Sequence, residues 1–420
     1  MTRRPGSIYF LTLAGSIILV AAVLALSYRL LAFRRTTRQD ADADQARVHA
    51  ELAVRYGLWY TRQQPAWRSN LNSGTWINPT TFGQASFSLA GIDDDGNLAD
   101  DTSDNVTLTG QATVNGITRS VQATARNAPD ELLQFAVAAR GRIDIDNNAC
   151  INGDITSNNS VAKTGSSAQI NGAAQAVGSV NEKTNISGQI TESAPEKTFP
   201  NSDNILQHYQ NHATAIPYTI MLENVLLSPS SNPFGQTNPD GLYLINCSNR
   251  RINIRNCRIV GTLFLLSPGA NSRVLGAMNW TPARPDYPAF IADSDFTFVV
   301  TADNLSEAAL HTDFSLPSEP GHGSQNDSYP SAISGLLYST GAITLDNHSE
   351  LTGAVISHSA VSVSGNAYIT HDPALFDSPP CGFRAYYLAA LDGSWQETNA
   401  APIIPKAGGA QTPQGKSRKF

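Results

Sequence analysis

Two aspartates separated by one residue share a face of a β-strand, because successive side chains alternate. Asp144 and Asp146 flank Ile145, and Asp293 and Asp295 flank Ser294. Such pairs could divide the work of general acid and general base, although solvated acidic strands are the commoner reason for the pattern. The second pair falls in a segment that reads as an insertion. His208 and His212, four residues apart, could share a helix face. Tyr-Gln-Asn lies between them, without the Glu of the His-Glu-x-x-His zinc pattern, so a surface or packing role is expected. His348, His358 and His371 are too unevenly spaced to stack into a metal cluster. Asp93, Asp94 and Asp95 precede Gly96 and Asn97, with Asp100, Asp101 and Asp104 following. An acidic loop of this kind offers oxygen ligands to Ca²⁺, but the alternating spacing and closing Glu of an EF-hand are missing, and a solvated turn is the expectation.

Cys150, Cys247, Cys257 and Cys381 allow three pairings and contain no Cys-x-x-Cys. Cys247 with Cys257 is favoured as a local disulfide if the chain is exported; free buried thiols are the alternative. No Gly-x-Ser-x-Gly elbow and no Gly-x-Gly-x-x-Gly fingerprint occur. Gly415-Lys416-Ser417 is a near miss to a phosphate loop, with Ala410 at the first Gly position and too little chain beyond for a helix. The chemistry therefore assigns no catalytic, cofactor-binding or metal residue, and the chain reads as a non-enzyme without a cofactor.

The elements that would carry these residues begin with an anchor. From Gly6 to Tyr28 no residue is charged, and 23 helical residues span about 35 Å, enough for roughly 30 Å of hydrocarbon. A cleavable signal peptide would have a shorter apolar region. Arg3 and Arg4 precede the span, and Arg29, Arg34, Arg35 and Arg38 follow. Arginine bias alone would keep the bulk cytoplasmic; the cysteines and the Asn, Ser and Thr content favour export. The expected placement is a single-pass inner-membrane protein with an exported head. Ala43, Ala46, Ala50, Ala53 and Gly57 then recur at 3 and 4, one face of a helix continuous with the anchor and ending between Gly57 and Arg62.

The remainder reads as β. Strands are expected at Ala85–Leu89, Val106–Val114 and Ile117–Ala125, with Asn115-Gly116 as a type I′ hairpin turn. Ile343, Leu345, Leu351, Gly353 and Val355 share their offsets with Ile143, Ile145, Ile151, Gly153 and Ile155. Moving the first three on by 18 reaches Val361, Val363 and Ile369, the mark of a stacked coil. Related pieces lie at Ile170-Gly172-Ala174, Ile186-Gly188-Ile190 and Ile259-Gly261-Leu263, the last an irregular coil because Ile252 and Ile254 are one residue out of register. The fold class is mainly β: a long N-terminal helix, then a parallel β-helix-like head with insertions at Thr191–Asp240, holding a short helix Asn204–His212, and at Asn271–Pro330. A β-sandwich is the competing architecture. The expected regions are 1–62 anchor and stalk, 63–135 hairpin-like, 136–390 β-helical head and 391–420 disordered tail.

Composition supports this reading: of 420 residues only 15% are charged, and the net charge is −7. Beyond the N-terminus the basic groups are Arg250, Arg251, Arg255, Arg258 and a short Lys/Arg end, which argues against nucleic acid as a partner.

The basic leader Arg3-Arg4-Pro5-Gly6, the apolar helix and its Ala-rich continuation resemble the type IV pilin-like proteins, closest to PilX-type minor pilins and the K-type minor pseudopilin of type II secretion. The resemblance implies a prepilin peptidase cut after Gly6 that leaves Ser7 first, and partners in the lipid bilayer, other pilin-like subunits or secretion machinery. Most members carry Glu at the fifth position after the cut, here Leu11; K-type pseudopilins lack it. Gly341 to Ile369 also resembles the polymer-forming bactofilin β-helices, through Ile343, Leu345, Leu351, Gly353, Val355, Val361 and Val363. The implied role is structural or in assembly. The alternatives are a surface carbohydrate-binding or polysaccharide-degrading β-helix and a bactofilin-like scaffold.

Overall fold

A computed structural model describes residues 6–99, 104–320 and 322–398. They divide into two compact units, 6–128 with 386–398, and Pro129–Ala385.

The first unit is built on one helix, α1 (Gly6–Gln63), which ends one residue beyond the expected range. Its apolar part meets the length and composition needed to cross a membrane. The large apolar side chains from Tyr9 to Phe33 are bare, Leu11 at 77% exposure. The second part lies on an antiparallel sheet of β1 (Gly74–Phe82), β2 (Ala85–Asp93), β3 (Val106–Val114) and β4 (Ile117–Pro129). The small-residue stripe is what lets helix and sheet approach. Ala46 meets Ala85 and Val114, and Ala50 meets Ala112 and Val121. A Cβ on Gly110 would stand 2.1 Å from the Ala50 carbonyl oxygen. Asn115 and Gly116 both take positive φ, 47° and 83°, as a type I′ turn requires. β2 continues to Asp93 rather than stopping at Leu89.

The C-terminal boundary departs from expectation. Arg384–Ala390 and Gln396–Thr398 both pair with β4, so 391–398 form a turn and a sheet strand and not the start of a disordered tail. Residues 399–420, including Gly415-Lys416-Ser417, lie outside the described residues, as do Arg3, Arg4, Asp100 and Asp101.

The second unit is a parallel β-helix whose stacking order is not its chain order. Ile343 pairs with Val361 and Ile143 with Val161, both steps of 18 residues. Val361 also pairs with Ile143, so the last rung of the chain lies between the rung just before it and the first. The three short pieces fit the stack: Ile170 bridges to Ile186, Ala174 pairs with Ile190, and Leu263 pairs with Phe290. Inward residues such as Leu345, Val363 and Ile145 are fully buried in one continuous core. The 252–260 rung is irregular as expected, with a register shift between Arg255 and Cys257.

Two insertions are smaller than the sequence suggested. Helix Ser202–His212 is present, capped by Asn201, but the strands Thr214–Ala215, Met221–Glu223 and Leu226–Leu227 stack on the 242–260 rung. Likewise Arg273–Thr281, Phe290–Ala292 and Phe296–Val300 are coil strands, so the excursion from the stack begins only after Val300. Helix Ser202–His212 covers an outward apolar wall, with Ile205 and Tyr209 packed in a cluster with Phe264, Ile291 and Tyr338.

Candidate functional site

Each expected chemical group can be placed by what holds it. Asp144 sits 2.6 Å from the Arg142 guanidinium on the coil surface. Asp146 Oδ1 accepts the Asn147 amide at 2.7 Å, and Asp346 Oδ1 accepts the Asn347 amide at the same distance. Asn147 and Asn347 take φ of 55° and 61°, a conformation Asn tolerates better than most side chains. Asp146 therefore repeats a corner device found two hundred residues on. Asp293 and Asp295 are not in an insertion but at a coil corner, where they accept the Ser267 and Ala342 amides at 2.5 and 2.7 Å. Neither pair is arranged to share a proton over a cleft; three of the four carboxylates hold backbone turns.

The histidines are equally dispersed. His212 Nδ1 is 2.7 Å from the His208 carbonyl, at the end of the helix. His348 contacts Asn366, His358 contacts the Tyr338 hydroxyl, and His371 Nε2 meets the Leu133 carbonyl at 2.9 Å. Burial, and then the Arg140 charge, lower the pKa of His358.

All four cysteines are free, which corrects the favoured Cys247–Cys257 disulfide and leaves its alternative. The two buried thiols are turned toward backbone carbonyls: Cys247 Sγ to Ile245 O at 3.8 Å, and Cys257 Sγ to Arg255 O at 3.1 Å. Burial pushes the two thiols up to about 11 and about 12, so neither is a ready nucleophile at neutral pH.

In the first unit, carboxylate oxygens of Asp93, Asp95 and Asp104 come within 4.8 Å of one another. The solvated-turn expectation fails for Asp93, whose side chain is fully buried and 4.0 Å from Arg68. Arg68 supplies the positive charge there and also donates to the Leu98 and Asp104 carbonyls and to Asn127 Oδ1.

Two features had no counterpart in the sequence reading. Fully buried Glu307 organises the excursion after Val300, accepting the Phe314 and Asp327 amides at 2.6 and 2.9 Å and the Ser315 hydroxyl at 3.1 Å. Arg258 grips Glu319 through both guanidinium ends at 2.6 and 2.7 Å. The second feature is a pair of open clefts. One, of about 460 Å³, runs past Met221, Glu223, Phe234 and the His322–Asp313 pair. The other, of about 510 Å³, lies among Arg140, Asn158, Lys197 and His358. A glutamate in a turn-rich excursion gives no periodic signal, and a cleft between loops gives none at all.

No protein-family model matches the chain, and no curated protein sequence does. Among solved structures, the competence-associated pilin ComZ from Thermus thermophilus is 14% identical, with 85% of this chain and 98% of that one covered at a TM-score of 0.35. An ice-binding protein of Shewanella frigidimarina is 10% identical, covering 58% and 97% at 0.28. The ice-binding protein LeIBP from an Arctic yeast is 15% identical, covering 59% and 96% at 0.27. Likenesses this weak leave the fold assignment resting on the strand pairing itself.

Proposed function

We propose that this chain is a membrane-anchored, pilin-like protein with a structural or assembly role, without enzymatic activity, and of the PilX or K-type minor class. The observation that carries the reading is α1. It is one unbroken helix of 58 residues, with an apolar part left bare and an Ala-rich part seated on an antiparallel sheet. A bare helix of that composition needs lipid or other apolar helices around it. The seated part keeps a second apolar row outward, Val48, Leu52, Tyr56 and Trp59, each 45–53% exposed. Their spacing of 4, 4 and 3 puts them on one side, a surface for a neighbouring pilin-like subunit or for secretion machinery. In this reading the anchor crosses the inner membrane once and the β-helical head is exported.

The test is co-expression with a prepilin peptidase followed by N-terminal sequencing. A chain beginning at Ser7 is expected; an intact terminus, or one beyond Ser27, would remove the pilin-like assignment. Protease accessibility of the head in intact cells then reports orientation, and a protected head would return the reading to a cytoplasmic, bactofilin-like scaffold.

A further inference from the structure

Where the two ends of the excursion after Val300 meet the coil surface, a cleft of about 210 Å³ is lined by Asn304, Ser331, His348, Glu350, Asn366 and Tyr368. Its polar groups are fixed by a directed chain of hydrogen bonds crossing several rungs. Asn148 Nδ2 donates to Asn366 Oδ1 at 3.1 Å, and Asn366 Nδ2 donates to His348 Nε2 at 3.2 Å. His348 Nδ1 donates to Asn347 Oδ1 at 3.1 Å, and Asn347 Nδ2 to the Val300 carbonyl at 3.0 Å. The partners assign this direction, with His348 Nε2 accepting and Nδ1 donating. Asn366, the member of this chain whose amide lines the cleft, keeps a second N–H and a second lone pair for a ligand.

Beside the chain stands Tyr368. Its strand pairs with Glu350 on one side and Cys150 on the other. Its hydroxyl takes a hydrogen bond from Asn152 Nδ2, whose Oδ1 in turn accepts from Asn171 Nδ2 at 2.7 Å. Backbone and hydroxyl are thus both held, and the ring remains 41% exposed. It is a rigid platform with an apolar face.

We propose that this cleft binds an uncharged saccharide, one sugar ring resting on Tyr368 with its hydroxyls bonded to Glu350 and Asn366. Charge narrows the ligand class. The lining holds one carboxylate and neither Lys nor Arg, so an anionic group would meet repulsion without compensation. A divalent cation would find too few carboxylate oxygens. A neutral sugar ring combines a face of C–H groups with a rim of hydroxyls, which matches an aromatic platform flanked by oriented amides and a carboxylate. The size is below that of a drug-like pocket, which runs to roughly 300 Å³ and above, and suits a single ring. Because the amides are already ordered by one another, binding immobilises little. Asn148 and the Asn152–Asn171 pair continue past the cleft at the rung spacing of about 4.8 Å, so a chain of sugars gains contacts that a single one lacks.

This inference stands apart from the anchor, and its failure would leave the pilin-like reading untouched. The experiment is calorimetric titration of the full-length protein, in a detergent without sugar headgroups, with cello-, malto-, laminari- and chito-hexaose. At least one should bind with Kd of about 1 mM or tighter, and more tightly than its monosaccharide. Glu350→Gln, nearly isosteric, and Tyr368→Ala should each weaken that binding about tenfold or more, and Tyr368→Phe, which keeps the ring, should weaken it less. Glu350→Gln should leave Tm unchanged, which separates a lost contact from a lost fold. Absence of binding by all four at about 10 mM, undiminished binding by both Glu350→Gln and Tyr368→Ala, or preference for an oligogalacturonate over every neutral sugar would overturn the proposal.

Discussion

Along β3, residues alternate between buried and half-buried from Val106 to Val114, because α1 covers one face of that sheet and not the other. Along the coil wall beside helix Ser202–His212, the alternation disappears. Val137–Ala139 and Phe290–Ala292 are buried at every position, their end residues in the coil interior and Ala138 and Ile291 in a second apolar layer with Ile205 and Tyr209. The first arrangement holds a helix at close range by removing side chains, down to the bare Cα of Gly110. The second fills space: Phe290, Phe296 and Phe298 stand with ring centroids 4.7–5.4 Å apart inside the coil. Strand pairing, antiparallel in the first region and parallel in the second, thus serves one region that tolerates no added atoms and another that tolerates no removed ones.

Substitutions in opposite directions should expose this contrast. The largest effect is expected from Phe298→Ala, which empties the coil interior and should cost about 4 kcal/mol in denaturant unfolding. A loss under about 1 kcal/mol would mean the stack closes over the gap. Gly110→Val adds bulk where the sheet meets Ala50 and should cost about 3 kcal/mol. Hydrogen exchange should show faster exchange confined to β2, β3 and the overlying part of α1. The smallest effect concerns the outer layer of the coil wall, where Asp130 caps the turn Glu131–Gln134 and accepts the Leu132 amide at 2.9 Å. Burial raises its carboxyl from 3.8 to about 6, against the opposing pull of that amide. Between those values the folded chain holds the proton and the unfolded chain does not, so stability rises as pH falls from 6 to 4. The gain is on the order of 2 kcal/mol. Asp130→Asn keeps an acceptor for Leu132, removes that slope, and should be the more stable protein at pH 7. An unchanged pH profile in the variant would show that another group titrates there.

Legibility in the sequence followed the range of the interactions. The Ala and Gly stripe of α1 was readable because its partner residues recur every turn, whatever they pack against. The Asn115-Gly116 hairpin was readable because its turn and both strands lie within a few residues. The 18-residue coil step was readable because like residues stack on like, giving Ile343 and Val361 or Ile143 and Val161. Strand β1 was missed, as were the strands at Arg384–Ala390 and Gln396–Thr398, whose partner lies more than 250 residues earlier in the chain. The coil strands within 273–300 were read as an insertion because Gly276 and the register shift interrupt the repeat. Asp293 and Asp295 looked like a pair through strand alternation alone; only the fold shows each holding a different rung.

What the sequence determined by itself were properties that depend on neighbours along the chain: an apolar helix long enough for a bilayer, its small-residue face, a hairpin turn and the coil period. What the tertiary structure alone decided was the order in which coils stack. Val361–Val363 could rest on any rung presenting Val, Leu or Ile at the same offsets, since inward columns are chemically alike from coil to coil. The strand pairs place it between Ile343–Asn347, the rung before it in the chain, and Ile143–Ile145, two hundred residues earlier. The same placement brings Asn148 to Asn366 and Asn152 to Tyr368, so the cleft they build exists only once residues more than two hundred apart share neighbouring rungs.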